Sequence, residues 1–291
     1  MLFDADFLTK LEYLALVSRR VFRGQLLAQK RTKQLGGGIE FADHREYSAG
    51  DDFRYLDWNL YARHGELLLK RFQEEQDLHV YLLLDCSRSM QMGSPPKFDL
   101  ARQVTAALGY IALADLDRIS VLAFADGVLT DFPLTRGKAR ILNLLEFLES
   151  LPAEGNATNL SELVGSFVHR TSRRGLAIVI SDLFDPSGFG EALDRLRHFR
   201  FEPYVIQIYD QDEAEPKFLG DVELVDVESH EPRKLTITEA HVKRYRRVFQ
   251  SFLQSVRDYC AAYGIPCATA TADVAFDELI LGMMRRTGAA G

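Results

Sequence analysis

The chain has 291 residues, 47% of them apolar and 26% charged, the composition of an ordinary globular protein long enough to bury a substantial core. Its net charge of −7 and pI near 5.6 exclude a sequence-independent nucleic-acid binder, because such binding depends on neutralising phosphates with Lys and Arg. The sequence holds no run of 18 uninterrupted apolar residues, its opening MLFDADFLTK carries two acids where a secretory signal needs a basic end, and its three cysteines (Cys86, Cys260, Cys267) form no CxxC pair, so a cytoplasmic chain without a membrane span, a disulfide framework or a thiolate zinc site is expected.

Residues 4–23 place Phe7, Leu8, Leu11, Leu14, Val17 and Val21 at helical spacing, with acids in front, Arg19, Arg20 and Arg23 behind and Gly24 after them. That pattern predicts one amphipathic helix ending near the glycine. The basic run RRVFRGQLLAQKRTK (19–33) reads as a solvated helix face. QKRTKQLGGGIEF then crosses three glycines into short alternating segments, through GELLLKRFQEEQ, which read as strands.

From residue 79 onward apolar runs alternate with helical patterns. HVYLLLD (79–85), RISVLAFAD (118–126), GLAIVISD (175–182), EPYVIQIYD (202–210) and GIPCATATAD (264–273) are continuous enough to be strands buried on both faces. Amphipathic helices are expected near 97–114, 137–150, 159–171, 188–199 and 239–262. The alternation predicts an α/β fold with a doubly wound, mostly parallel sheet. VLTDFPL (128–134) follows its predecessor too closely for a crossover helix and is expected as an antiparallel edge strand, and DVELVDVESHEPRKLTI (221–237) as an inserted β-hairpin. The expected division is residues 1–77 as an amino-terminal helix with a small β extension, and 78–291 as the α/β domain.

Asp85, Asp126, Asp182, Asp210 and Asp273 end the five main runs, at the sheet edge where open α/β folds bind ligands. Taken singly, Asp126, Asp210 and Asp273 read as ordinary turn residues. Asp85 differs because D-x-S-x-S adds Ser87 and Ser89 at alternate positions, so that a carboxylate and two hydroxyls converge if the turn is extended. Short oxygen ligands suit a hard divalent ion such as Mg²⁺, which takes octahedral oxygen coordination at about 2.0 to 2.1 Å. GNATNL (155–160) offers Thr158 before a helix, and AIVISDLFD delivers Asp182 at the end of another central strand. The acidic loop DQDEAEP (210–216) either extends the rim or keeps a loop soluble; the sequence does not choose.

D-x-S-x-S, then Thr, then Asp, in this order on these elements, resembles the metal-ion-dependent adhesion site (MIDAS) of von Willebrand factor A domains. The resemblance implies that Asp85, Ser87, Ser89, Thr158 and Asp182 hold Mg²⁺, Mn²⁺ or Ca²⁺ and leave one coordination position for an acidic side chain of a partner. The upstream stretch GGGIEFADHREYSAGDDFRYLDWNLYARHGELLLKRFQEE (36–75) resembles the signature of the bacterial "domain of unknown function 58" family, through Arg45, Tyr47, Gly50, Asp51, Asp52, Arg54, Asp57, Trp58, Ala62 and Arg63. That resemblance spans roughly residues 33–285 and implies work with a MoxR-type AAA+ ATPase, as an adaptor or co-chaperone. The charges of GDDFRYLDW suit either an internal ion-pair lattice around Trp58 or a docking surface.

The expected activity is therefore binding, without catalysis. An Mg²⁺-dependent phosphohydrolase with Asp85 as nucleophile is the alternative enzyme reading, but Ser87 stands where the general-acid carboxylate would be. Cys86, beside Asp85, lacks a phosphate loop and should resist ionising. Neither G-x-G-x-x-G nor G-x₄-G-K-[ST] occurs, and the seven histidines show no ligand spacing.

Overall fold

The computed structural model describes residues 2–29, 40–73, 78–153, 155, 158–225 and 232–289. By contacts the chain divides into a unit of residues 23–77 and a unit of residues 1–22 with 78–291.

The first helix, α1 (Ala5–Gln29), runs through Gly24 rather than stopping there, since an isolated glycine costs a helix only about 1 kcal/mol. Phe7, Leu11 and Leu14 are buried as their spacing predicts, whereas Leu8 is exposed. The side chains of the basic run 19–33 lie outside the described residues.

In the smaller unit β1 (Glu40–Glu46) pairs antiparallel with β2 (Leu68–Gln73). The segment between them is helical, not extended as expected. Asp52 accepts from the backbone of Arg54 to open a 3₁₀ turn at Phe53–Tyr55, and Asp57 accepts from Asn59 and Leu60 to open α2 (Trp58–His64). Short acids at these positions satisfy amides that have no partner inside the helix. The expected ion pairs are present as Arg45–Asp51 at 2.6 Å, Arg54–Asp52 at 2.6 Å and Asp57 between His44 and Lys70. They do not enclose Trp58, which is 59% exposed beside Tyr61.

The larger unit follows in chain order as β3 (His79–Asp85), α3 (Lys97–Ala114), β4 (Arg118–Phe124), β5 (Val128–Arg136), α4 (Ile141–Ser150), α5 (Leu160–Arg170), β6 (Leu176–Ser181), α6 (Gly190–His198) and β7 (Glu202–Tyr209). A short helix α7 (Gln211–Ala214), a hairpin of β8 (Gly220–Val225) and β9 (Pro232–Ile237), α8 (Glu239–Ala262), β10 (Cys267–Thr271) and α9 (Phe276–Ala289) complete it. The main sheet has the order β10-β7-β6-β3-β4-β5, parallel throughout except for β5, which lies antiparallel to β4 at one edge. The doubly wound, mostly parallel sheet, its antiparallel edge strand and the separate hairpin are as the apolar patterning predicts. Residues 226–231, between β8 and β9, lie outside the described residues.

Strand β3 shows how the sheet divides its core. Val80, Leu82 and Leu84 enter one layer with α1, α3, α4 and α9, while Tyr81 and Leu83 enter the other with α5, α6 and α8. Strand β10 buries only Ala268 and Ala270 deeply, in keeping with its place at the other edge. The chain leaves β3 through α3 toward β4 on one side, while β6 flanks β3 on the other. This is a topological switch point, and the carboxyl ends of β3 and β6 open a crevice there.

The first turns of α1 are integral to this core, because Phe7 packs against Phe276 of α9, tilted at 4.6 Å between centroids, and is 3% exposed. Phe7→Ala should lower stability by about 3 to 5 kcal/mol, read as a fall in the urea midpoint. A change within error would mean that the helix merely rests on the surface.

Candidate functional site

Asp85, the last residue of β3, is fully buried. Its Oδ1 accepts the amide of Ser87 at 2.9 Å, and its Oδ2 accepts the hydroxyl of Ser181 at 2.5 Å. Among the described residues no Lys or Arg pairs with it. Burial first, then the charge of Asp182, pushes its pKa up to about 7.

Ser87 and Ser89 do meet, with hydroxyl oxygens 3.0 Å apart, although not along an extended turn. Ser87 is extended, but Ser89 lies in a 3₁₀ turn at Arg88–Gln91, which folds it back toward Ser87. The loop before α5 is fastened beside them, where Ser87 bridges Gly155, the Arg88 amide donates to the Gly155 carbonyl, and the Gly155 amide to the Cys86 carbonyl. A Cβ at Gly155 would fall 2.0 Å from Cβ of Ala125, so only glycine permits this approach. Thr158 in the same loop is buried, and its Oγ1 has no hydrogen-bond partner among the described residues. Asn156 and Ala157 lie outside the described residues.

Asp182 follows β6 and is fully buried. Its Oδ1 accepts the Phe184 amide at 3.0 Å, and its Oδ2 takes the Lys97 ammonium at 2.7 Å. The next residue, Leu183, holds a left-handed φ of 63°, a conformation costing about 1 kcal/mol, secured by its amide donating to Ser181 Oγ. Ser181 thus links the two acids, bonding Asp85 with its proton and the turn after Asp182 with its lone pair.

Lys97 was not legible as a site residue, yet it is completely buried and binds two carboxylates, Asp182 and Glu213 Oε1 at 2.6 Å. Burial opposes its charge, but Asp182 and then Glu213 outweigh burial and hold its pKa above the ordinary lysine value. Burial raises the pKa of Glu213 despite Lys97. Phe184 places its ring 5.5 Å from the ammonium. One signal in the sequence pointed here: Lys97 is the first residue of α3, an end whose dipole disfavours cations, directly after the Asp85 strand and its turn. Glu213 resolves the open question about the acidic loop, which does extend the rim. Asp210 instead caps α7 in a capping box with Glu213, whose Oε2 accepts the Asp210 amide. Asp126 and Asp273 are exposed. Cys86 is buried, and burial followed by Asp85 raises its pKa, so the thiol stays protonated.

The structure therefore brings Asp85, Ser87 and Ser89 together directly, joins Asp182 to them through Ser181, and sets the Thr158 loop alongside through Gly155. When ionised, Asp85, Asp182 and Glu213 carry three negative charges against one on Lys97, which leaves the charge of one divalent cation uncompensated. Among the described residues no group of three or more His, Cys, Asp or Glu side chains is placed to hold a metal. An ion here would rest on two carboxylates and three hydroxyls. The all-oxygen donor set, the unpartnered Thr158 Oγ1 and the uncompensated Asp85 fit a hard divalent cation.

Two measurements follow. Asp85 titrates near 3.9 in an unfolded chain. With its pKa at about 7 in the fold, the native state holds a proton over that interval that the unfolded state has lost. In chelator, the stability contributed by this group should fall as pH rises from about 4 to about 7, and Asp85→Asn should remove that slope in urea midpoints taken across the range. Lys97→Met strands two buried carboxylates and should cost about 3 to 5 kcal/mol by the same method. Adding Glu213→Leu should recover part of the loss, and strict additivity of the two changes would refute the pairing.

Residues 43–257 match the family described as "Protein of unknown function DUF58". An uncharacterized protein of Mycobacterium bovis, Mb1516, is 28% identical over 209 residues, which is 70% of this chain and 66% of the relative's own length. Among solved structures, proximal thread matrix protein 1 from the mussel byssus, with a zinc-occupied MIDAS motif, is similar at 13% identity and a TM-score of 0.43, over 74% of this chain and 48% of that one. The SpRpn10 VWA domain is similar at 12% identity and a TM-score of 0.39, over 70% of this chain and 94% of that one. Among the described residues no helix is long and apolar enough to cross a membrane.

Proposed function

This chain belongs to the DUF58 family, and we propose that it is a non-enzymatic binding protein whose Asp85, Ser87, Ser89, Thr158 and Asp182 hold a divalent cation used to engage an acidic side chain of a partner protein. The observation that carries this reading is Asp85, a fully buried carboxylate that bonds Ser87 and Ser181 and has no counter-charge among the described residues, at the switch point of the sheet. A buried charge without a partner costs several kcal/mol, and a cation removes that cost. Mg²⁺ is the first candidate, with Mn²⁺ and Ca²⁺ as the alternatives, since the donors are all oxygen.

The protein's own contribution is positional. The Ser87 amide and Ser181 hydroxyl fix the Asp85 carboxylate, and the Ser87–Ser89 contact sets both hydroxyls in one place. Lys97 occupies Oδ2 of Asp182, so part of that residue's charge is already spent within the protein. A bound divalent cation would supply a directional point of attachment for one carboxylate oxygen of the partner. Because Lys97 offsets one of the site's negative charges, an ion held here retains more attraction for an outside carboxylate than three free acids would leave it.

The partner proposed is a MoxR-type AAA+ ATPase, with this chain as its adaptor or co-chaperone, and the setting proposed is the cytoplasm. The partner rests on the family resemblance, and the setting on a sequence without a run of 18 uninterrupted apolar residues. A phosphohydrolase using Asp85 as nucleophile is less well supported, because both oxygens of that residue are engaged and neither is exposed.

Calorimetric titration of Mg²⁺ and Mn²⁺ into chelator-treated protein tests the reading, with and without a MoxR-type ATPase from the same genome. Wild type should take up the ion more tightly as pH rises through about 7, since the ligand must lose its proton. Asp85→Asn should bind neither ion nor ATPase while keeping its circular dichroism. Metal uptake by the variant equal to wild type would sink the proposal, and metal-dependent turnover of p-nitrophenyl phosphate would favour the enzyme.

A further inference from the structure

We infer that the groove between the segment leading into β8 and the first turns of α8 is a docking site for an acidic peptide segment of a partner protein, anchored by a large apolar side chain. The groove has a volume of about 510 Å³. Phe218, Leu219 and Val242 supply its apolar walls, and Lys217, Lys243 and Arg246 stand on its rim. Phe218 is 52% and Leu219 59% exposed, two adjacent apolar side chains on one wall of the groove. Leu224 and Leu235 of the hairpin and Tyr245 and Val248 of α8 are exposed as well.

The charge on this face selects the occupant. The protein as a whole carries −7, yet residues 243–247 read KRYRR, with four cations in five positions. Lys243, Arg244, Arg246 and Arg247 are all exposed and form no ion pair among the described residues. Like charges three and four apart on a helix repel by a few tenths of a kcal/mol each. The dipole of α8 adds nothing in their favour near its amino-terminal end, and Glu239, four positions before Lys243, is the acid the helix itself sets beside them. Glu239 is the one acid in the lining. An external segment alternating Asp or Glu with Leu or Phe would answer both features at once: its acids would meet the rim cations, and its apolar side chain would cover Phe218 and Leu219. Such a segment matches the helix-in-groove or extended-peptide modes of recognition, in which pockets give the anchor and charge gives the orientation.

The groove is coupled by chain to the buried acids without depending on them. Glu213, which holds Lys97, lies in α7 just ahead of Pro216, and the groove wall follows at once. The inference nonetheless goes beyond the cation reading, and its test is run in chelator so that the two can fail separately.

The probe is a fluorescein-labelled peptide built from Glu, Leu and Phe, measured by anisotropy against wild type and two surface variants, Lys243→Glu/Arg246→Glu and Phe218→Ser/Leu219→Ser. A Gln-for-Glu peptide is the control. Wild type should bind the acidic peptide, more weakly as salt rises, and each double variant should lose roughly tenfold or more in affinity. All four positions are exposed, so circular dichroism and urea midpoints should not move. Equal binding of the two peptides, no binding by wild type, or undiminished binding by the charge-reversed variant would overturn the proposal. So would wild-type self-association abolished by Phe218→Ser/Leu219→Ser, which assigns the face to a second copy. Binding to phosphatidylserine vesicles but not to the peptide would assign it to a membrane surface instead.

Discussion

Taking a carboxylate out of water costs several kcal/mol unless an opposite charge meets it, and this chain takes three of them to the same end of its sheet. Asp85 and Asp182 have no exposed surface, and Glu213 little. Lys97 compensates one charge, shared between Asp182 and Glu213, and leaves Asp85 to burial and two hydrogen bonds. Around this imbalance the local architecture is arranged. The left-handed Leu183, the glycine at 155 and the 3₁₀ turn after Ser87 are each locally costly or restrictive, and each brings a polar group to the same crevice.

The sheet makes such a concentration possible. In a doubly wound topology the strands on either side of the switch point send their successors in opposite directions, so no crossover covers the crevice between β3 and β6. Continuous apolar strands hold the floor rigid on both faces, through Leu82 and Leu84 in one layer and Leu83 in the other. Rigid strands below and constrained loops above fix distances between groups that would otherwise repel one another, and such preorganisation is what a binding site for a small ion requires.

A second, different chemistry sits further along the chain. The buried acids have an excess of negative charge, whereas the groove beside α8 has exposed cations and apolar surface. In the functions proposed, short-range burial and long-range charge act at separate places: the first would set a directional contact to one oxygen, the second which surfaces approach. Glu213 lies in α7 just ahead of the groove wall and uses one oxygen for Lys97 and the other for the Asp210 amide.

Much of this was written in local pattern. Runs such as HVYLLLD and LAIVIS are apolar on both faces, which only a strand buried from both sides tolerates, and the short gap before VLTDFPL left room for a hairpin and not for a helix. Asp85, Ser87, Ser89, Thr158 and Asp182 could be singled out as candidates because their residue types and their positions, after a strand or, for Thr158, before a helix, are sequence properties. What the sequence could not give was pairing across distance. Lys97 and Glu213 are 116 positions apart, and nothing local marks a lysine as buried until the tertiary structure closes two carboxylates around it. Ser181 reads as the polar end of a strand until β6 lies beside β3 and its hydroxyl reaches Asp85. The segment from Asp52 to His64 misled for the opposite reason, because its two aspartates act on their own following amides and wind a stretch that composition alone leaves extended. Period and residue type decide elements and candidate ligands one position at a time; charge balance is a sum over neighbours in space, and only the folded chain determines which neighbours enter it.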